Sequence, residues 1–315
     1  MLKNFIIMLS IYNFMKILVT GGSGFIGRNI VKKLKEKGYY VITLDLKNKN
    51  SISDAHIKGD VRDIKLMIHT TKNIDVVFHL AAVTSPPEFE DIFSNGYETN
   101  VQGTYNVLAS SLHNNVKRVI LASSSSVYGD SKTISSEDKI PENYRNFYPA
   151  SKRINELTAK VFMNYGLDTV SLRYFNTYGI GENTKGSYSS VIWKFIDDIM
   201  NRRVPVIYGD GTQKRDFIYV EDTARASVLA MERGKSGEVY NVGTGVSTDF
   251  NTIFRIIKEE MNFDGDAVYV PNPLKSYQMF TQADITKSKR DLGFEPEYDI
   301  RRGVRKILEE IKSLS

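Results

Sequence analysis

Lys16-Ile17-Leu18-Val19-Thr20-Gly21-Gly22-Ser23-Gly24-Phe25-Ile26-Gly27 opens the stretch whose reading decides the fold, and Asp45 closes it. The apolar run 16–20 ends on glycines, as a buried strand does where it gives way to a turn. Ile26, Ile30, Val31 and Leu34 then recur at helical spacing over 25–36, and Gly38 follows as a stop. Residues 40–45 (YVITLD) read as a second strand. Strand, turn, helix and strand make a βαβ unit. Gly21, Gly24 and Gly27 carry the spacing G-x-x-G-x-x-G at its turn. Glycines there permit a tight turn, close approach of a pyrophosphate and packing of helix on strand. The helix N-terminus adds free N–H groups and a partial positive charge. Glycines alone also make ordinary turns, so the position between strand and helix carries the reading, together with Asp45 at the end of the second strand. A carboxylate there accepts both ribose hydroxyls of NAD and repels the extra phosphate of NADP. An ordinary surface acid is the plain alternative, and nearby Lys47 and Lys49 leave NADP open. Asp60, in Gly59-Asp60-Val61, is a further acid at a strand end, suited to the adenine amino group or simply to a turn.

The pattern continues outward. Apolar strand cores recur at 75–80, 118–122 and 169–174, with helical stretches at about 98–114 and 149–165. Strands alternating with helices predict an α/β fold, a Rossmann-like doubly wound parallel sheet covered on both faces. After Asn176 the spacing changes: helices are expected at 188–202, 221–233, 249–261 and 301–312, and short strands at 204–207, 238–242 and 267–270. The expected organisation is a cofactor domain over 15–176, rejoined by a segment at about 215–245. The rest of 177–315 forms a smaller α/β substrate-binding lobe.

Composition narrows the function. The 315 residues are 41% hydrophobic and 25% charged, as in ordinary soluble domains. Net charge is +5, but Lys and Arg are spread along the chain, so no nucleic-acid footprint is expected, while an anionic small substrate suits the sign. The chain has no cysteine, which excludes disulfides and thiol catalysis, and the histidines at 56, 69, 79 and 113 lack metal-ligand spacing. The first fourteen residues are apolar yet too short to span a bilayer, and no small-residue cleavage site follows. They are read as an extension upstream of a start at Met15 or as a short apolar helix. A cytoplasmic protein without membrane attachment is expected.

Two further segments carry chemistry. Tyr148 and Lys152 stand at i and i+4, on one face if residue 148 begins a helix. A neighbouring positive charge favours the phenolate, which suits a general acid–base acting on a hydroxyl. A surface pair is the default for such spacing. Ser123-Ser124-Ser125-Ser126-Val127-Tyr128-Gly129 strengthens the catalytic reading, because it follows an apolar strand. Its hydroxyls therefore lie at the carboxyl end of the sheet, where open α/β folds bind ligands.

TGGSGFIG at 20–27, GDVRD at 59–63, HLAA at 79–82, SSSSVYG at 123–129, YPASK at 148–152, LRYFNTYG at 172–179 and RDFIYVEDTARA at 215–226 resemble the extended short-chain dehydrogenase/reductase family. Within it they are most similar to the NAD-dependent nucleotide-sugar epimerase/dehydratase group, close to UDP-glucose 4-epimerases. The resemblance implies Tyr148 as base, Lys152 on the nicotinamide ribose and Ser124 on the reacting hydroxyl. It places Gly21, Gly24, Phe25, Ile26, Gly27, Asp45, Asp60, Val61, Leu80, Ala81, Ala82, Asn100 and Ser123 at the NAD. It places Thr84, Ser85, Asn176, Val191 and Arg215 at the sugar nucleotide, a UDP-hexose, with Arg215 and Asn176 on its diphosphate. It also implies a homodimer built on the helices at about 98–114 and 149–165.

Two departures refine the resemblance. Dehydratases of the family carry Asp-Glu directly after the hydroxyl residue, where this chain has Ser125 and Ser126. That removes the acid–base pair for water elimination and leaves epimerisation. The segment 277–284 (YQMFTQAD) lacks the arginine many relatives place nearby, although Lys275 is close, and is similar to an ADP-heptose epimerase branch. A reductase, another epimerase and a non-catalytic NAD sensor are the alternatives.

Overall fold

A computed structural model describes residues 15–48, 52–84, 89, 93–141, 143–144, 146–273 and 278–314. Residues 1–14, Lys49, Ser85 and Lys275, named above, lie outside them. The first half supplies β1 (Lys16–Thr20), β2 (Tyr40–Asp45), β3 (Ala55–Lys58), β4 (Val76–His79), β5 (Arg118–Ser124) and β6 (Asp168–Tyr174). The second supplies β7 (Asn176–Tyr178), β8 (Val206–Tyr208), β9 (Lys214–Tyr219), β10 (Val239–Val242), β11 (Ser247–Asp249) and β12 (Val268–Val270). Seven strands form one parallel sheet in the order β10-β6-β5-β4-β1-β2-β3. The order reverses between β1 and β4, which puts the ligand crevice of a doubly wound sheet outside the carboxyl ends of those two strands.

Side chains alternate across this sheet. Ile17 and Val19, Val76 and Phe78, Ile120, Val170 and Leu172 face one core. Leu18, Val77, Val119 and Leu121 face the other. Helix α1 (Phe25–Glu36) covers the first face with Ile30, Val31 and Leu34, all without solvent exposure. Each such burial contributes roughly 1.5–3 kcal/mol. The second face is covered by α2 (Ile64–Thr70), α4 (Gly103–His113) and α5 (Phe147–Asn164) through Met67, Val107, Leu108, Ala159 and Phe162. Between Phe93–Tyr97, here α3, and α4 the backbone widens into a π-helical turn at Glu98–Gln102. The sequence predicts one uninterrupted helix over 98–114. The π turn has a local correlate in the fully buried amide of Asn100, which lies in it and is tied across to the segment after β4.

The remaining residues carry α6 (Val191–Met200), α7 (Val220–Arg233), α8 (Phe250–Glu260), α9 (Thr286–Leu292) and α10 (Ile300–Leu314). A third core joins Ile192, Phe195, Ile207, Phe217, Phe254 and Ile307, beside a sheet of β11-β9-β7 and a pair β12-β8. Residues Lys214–Tyr219 belong to that small sheet, whereas α7 packs on α1 and β10 pairs with β6.

Candidate active site

The glycine turn fits a pyrophosphate. Gly21 has φ +70°, and a Cβ there would stand 2.7 Å from the Ala81 nitrogen. A Cβ on Gly27 would meet the Gly21 carbonyl oxygen at 2.2 Å, so the helix sits against the turn only because both are glycine. Gly24 caps α1 without a side chain, which leaves the first helical N–H groups, from Phe25 onward, without a side-chain acceptor. Asp45 ends β2 beside the turn. Its Oδ2 accepts from the Ser23 backbone at 3.0 Å and its Oδ1 from the Lys47 backbone at 3.0 Å. The far side is formed by the segment after β4: Leu80 N–H donates to the Thr20 carbonyl (3.1 Å) and Ala81 N–H to Thr20 Oγ1 (3.3 Å). Leu80, Ala81 and Ala82 therefore line the switch point. His79, buried beneath, bridges Thr20 Oγ1 (2.8 Å) and Thr104 Oγ1 (3.0 Å). Burial, with Lys152 adding repulsion, pushes the His79 imidazolium down to about 3, so the ring is neutral.

Other residues expected at the cofactor have their side chains engaged by the protein. The Asp60 carboxylate holds Arg62 at 2.7 Å, and Arg62 reaches on to Glu98 at 3.0 Å. Val61 is a core residue. Asn100 accepts from Val83 N–H (2.8 Å), donates to the Val83 carbonyl (3.0 Å) and donates to Ser151 Oγ (3.2 Å). Its amide thus ties the segment after β4 to α5. Ser123 Oγ donates to Glu156 Oε1 at 2.6 Å.

Helix α5 brings the expected chemistry to the same place. It packs on β5 and on the short 3-10 turn Ser125–Tyr128. Tyr148 is its second residue, 8% exposed, with the Phe89 ring edge-on at 6.5 Å. One turn further, Lys152 Nζ lies 6.0 Å from the Tyr148 ring centroid and donates to the Ala122 carbonyl at 3.0 Å. Burial lowers Lys152 to about 8, only partly opposed by the Glu156 charge. Ser124 ends β5, and its Oγ accepts from the Ser126 backbone N–H at 3.1 Å.

Glu156, on the same helix, is bound by Arg173 at 2.8 Å, and both side chains are 1% exposed. Arg173 also donates to Tyr128 OH (2.8 Å), which donates to Asn241 Oδ1 (2.6 Å). This chain of contacts joins α5, β6, the 3-10 turn and β10 beneath Tyr148 and Lys152. The spacing of Lys152 and Glu156 marks a shared helix face; Arg173 became identifiable as the partner only in three dimensions.

In the second lobe, Asn176 Nδ2 donates to the Asp216 carbonyl (3.2 Å) and to Thr281 Oγ1 (3.1 Å). Arg215 is 7% exposed; it donates to the Lys214 carbonyl at 2.9 Å and its guanidinium carbon lies 5.9 Å from the Phe250 ring centroid. Asp216, absent from the sequence reading except as a letter in the 215–226 motif, organises this region. Its carboxylate accepts from Thr244 N–H (2.8 Å), Gly245 N–H (2.9 Å) and Ala283 N–H (3.0 Å), although burial pushes its pKa up. Val191 begins α6 half-buried, and Thr84 is exposed beyond β4.

Comparison with known proteins places this geometry. The model of the NAD dependent epimerase/dehydratase family matches residues 17–243. The chain belongs to that family. Its cofactor is NAD, held by a Rossmann-like fold. A Methanocaldococcus jannaschii protein provisionally named UDP-glucose 4-epimerase is 37% identical over 94% of this chain and 98% of its own length. The UDP-glucose 4-epimerase of Thermotoga maritima, solved with UDP-glucose, superposes with a TM-score of 0.89 at 34% identity, covering 96% of this chain and all of that one. The UDP-N-acetylglucosamine 4-epimerase of Methanobrevibacter ruminantium, solved with UDP-N-acetylmuramic acid, gives 0.89 at 33% identity, covering 96% and 99%. Among the described residues no helix is long and apolar enough to cross a membrane, and no group of acidic or histidine side chains is arranged to hold a metal.

Proposed function

We propose that this chain is an NAD-dependent 4-epimerase of UDP-hexoses, interconverting UDP-glucose and UDP-galactose or their N-acetyl forms through a transient 4-keto sugar. The observation that carries the reading is the hydrogen bond from Lys152 to the Ala122 carbonyl near the carboxyl end of strand β5. Tyr148 stands one helical turn before Lys152 and Ser124 two residues beyond Ala122, with serines in the positions that follow, which supports the reading. NAD bound there would supply the hydride acceptor for the sugar carbon and the hydride donor to the opposite face once the keto sugar has turned over. Tyr148 takes and gives back the hydroxyl proton at its phenol oxygen, Ser124 holds that hydroxyl, and Lys152 binds the nicotinamide ribose and favours the phenolate. Gly21, Gly24, Phe25, Ile26 and Gly27 hold the pyrophosphate, and Asp45 the adenosine ribose. Leu80, Ala81 and Ala82 flank the cofactor, while Asp60, Val61, Asn100 and Ser123 support it from the residues they hold. Residues 15–176 with 215–245 serve the cofactor. Val191 from the remainder, together with Thr84, Asn176 and Arg215 from the cofactor segments, serves the sugar nucleotide, the Arg215 guanidinium suited to a diphosphate by its planar fork.

The protein acts as a cytoplasmic homodimer in this reading. Ile154, Leu157 and Val161 recur at i, i+3 and i+7 of α5 and stand exposed, beside exposed Tyr105 on the adjoining α4.

Incubating the NAD-loaded protein with UDP-galactose and resolving the sugars tests the activity. UDP-glucose is expected, without release of NADH. Absence of product from every UDP-hexose, plain or N-acetylated, overturns the reading, and accumulating free NADH favours a reductase instead.

A further inference from the structure

Two hydrogen bonds running in opposite directions tie α5 to the end of β5. Lys152 Nζ, on the helix, donates to the Ala122 carbonyl on the strand at 3.0 Å. Ser123 Oγ, from the next residue of the strand, donates to Glu156 Oε1 on the helix at 2.6 Å. Lys152 and Glu156 stand at i and i+4, on one helix face and about 6 Å apart along its axis. Ser123 continues the row of Val119 and Leu121, which faces the core that α5 covers. Ser124, by alternation, leaves that row. Lys152, Ser123 and Glu156 are all buried. A slide of α5 along β5 would therefore leave a buried cation and a buried hydroxyl without partners at the same time.

The acceptor of the second bond is already oriented. Ser123 and Arg173 are paired neighbours on β5 and β6. Arg173 grips both carboxylate oxygens of Glu156, Nε on Oε1 at 2.8 Å and Nη2 on Oε2 at 2.9 Å, which fixes the plane that Ser123 meets. Arg153 adds Nη1 to Oε2 at 3.0 Å. Burial opposes the Glu156 charge, but Arg173 and the other donors hold its carboxyl below the ordinary value, so it accepts as an anion. Two guanidinium groups already balance that charge without Ser123. What the Ser123 hydroxyl adds is a second fixed point between strand and helix.

We infer that Ser123 and Glu156 are positioning residues: with Lys152 and the Ala122 carbonyl they form a two-rung cross-link that sets the register of α5 against the end of β5. That register fixes where Tyr148 and Lys152 stand relative to Ser124. The inference rests on the epimerase reading for the chemistry of those three side chains. It gives Ser123 a role through Glu156 and not through a contact with NAD. No bond is made or broken by either positioning residue.

The experiment measures kcat, the KM for UDP-galactose and the Kd of NAD for the wild type, Ser123→Ala and Arg153→Met. Ser123→Ala removes one rung and leaves both arginines on Glu156. The expected result is a kcat about tenfold lower, as one charge-assisted hydrogen bond is lost, with KM and the NAD Kd each within about twofold of the wild type. Arg153→Met removes a donor from the same carboxylate without touching β5, and should keep kcat within about twofold. A Ser123→Ala kcat as high as that overturns the inference. An NAD Kd that rises in step with the loss of kcat also overturns it, because Ser123 would then be a cofactor contact. An equal loss in Arg153→Met overturns it too, by making the charge of Glu156 the operative quantity. Each of these results leaves the epimerase reading standing. If the wild type turns over no UDP-hexose, that reading fails, and amide hydrogen exchange of the NAD-loaded protein decides the cross-link. Exchange over 122–126 and 148–152 at least about threefold faster in Ser123→Ala, and unchanged in Arg153→Met, supports it. Exchange unchanged in Ser123→Ala, or equally fast in both variants, overturns it.

Discussion

Two buried cations, Lys152 on α5 and Arg173 facing it from β6, share the neighbourhood of Glu156 and have opposite fates. Arg173 is gripped by both Glu156 oxygens and also donates to Tyr128 OH and the Glu137 carbonyl. Burial opposes its charge, but these partners more than compensate, and its pKa rises. Lys152, one helical turn before Glu156, has the Ala122 carbonyl as its recorded acceptor and forms no ion pair among the described residues. The contrast separates scaffold from chemistry. A fully satisfied charge fixes β6 against α5, while an under-satisfied one is available to a ligand and costs stability until the ligand arrives.

The largest effects test that availability. Tyr148→Phe and Lys152→Met are each expected to lower epimerase turnover about 10²- to 10⁴-fold, read as product formed per enzyme. Lys152→Met should nevertheless melt at or above the wild-type temperature at pH 7, because it removes a buried, poorly compensated charge. A variant that lost both activity and stability would place Lys152 with the scaffold and end the comparison.

Arg173→Met should behave in the opposite way. Removing one partner of a buried pair leaves Glu156 uncompensated, so denaturant unfolding should show a loss of about 3–5 kcal/mol. Replacing both, Glu156→Met with Arg173→Met, should recover most of that loss. If the double variant is as weak as the single, the network through Tyr128 and Asn241 matters more than the ion pair.

How far these roles could be read in advance depended on distance along the chain. The strands 16–20 and 40–45 and the helix 25–36 were legible to the residue, because apolar periodicity and bounding glycines are local signals. Ala55–Lys58 was not: it is an edge strand, half-buried, with no apolar run to announce it. Lys214–Tyr219 was read as a motif and not as a strand, since buried Arg215 and Asp216 break the apolar pattern. Tyr148 and Lys152 stood out by spacing and resemblance. What stayed hidden were partners remote in sequence, such as Glu156 on Ser123, Thr281 on Asn176 and Val83 on Asn100. Each of those contacts is set by packing between elements, to which local periodicity is blind.

The Lys152 charge also gives a pH signature. Its folded value of about 8 lies below the 10.5 of a free lysine, so the unfolded chain holds that proton more tightly. Below about 8 the full penalty of the buried charge is present; between the two values the unfolded state carries more protons, and stability rises with pH. The stability deficit of the ligand-free wild type relative to Lys152→Met, on the order of 3 kcal/mol at pH 7, should therefore shrink as pH climbs from 8 toward 10.5. A deficit constant across that range would mean the lysine is not a strained cation in the free protein.

The smallest effect separates two helix caps in the same way as the two cations. Asp249 caps α8 by accepting from Thr252 N–H at 2.8 Å, so Asp249→Ala should cost about 1 kcal/mol of stability. Asn146 caps α5 in position only, with its oxygen unpartnered among the described residues. Asn146→Ala should cost well under about 0.5 kcal/mol, since no capping bond is lost and a buried orphan disappears. Parallel urea titrations of the two variants resolve the difference. Equal losses would show that the Asn146 amide serves the helix after all, whereas a near-silent Asn146→Ala separates a cap that bonds its helix from one that caps it in position alone.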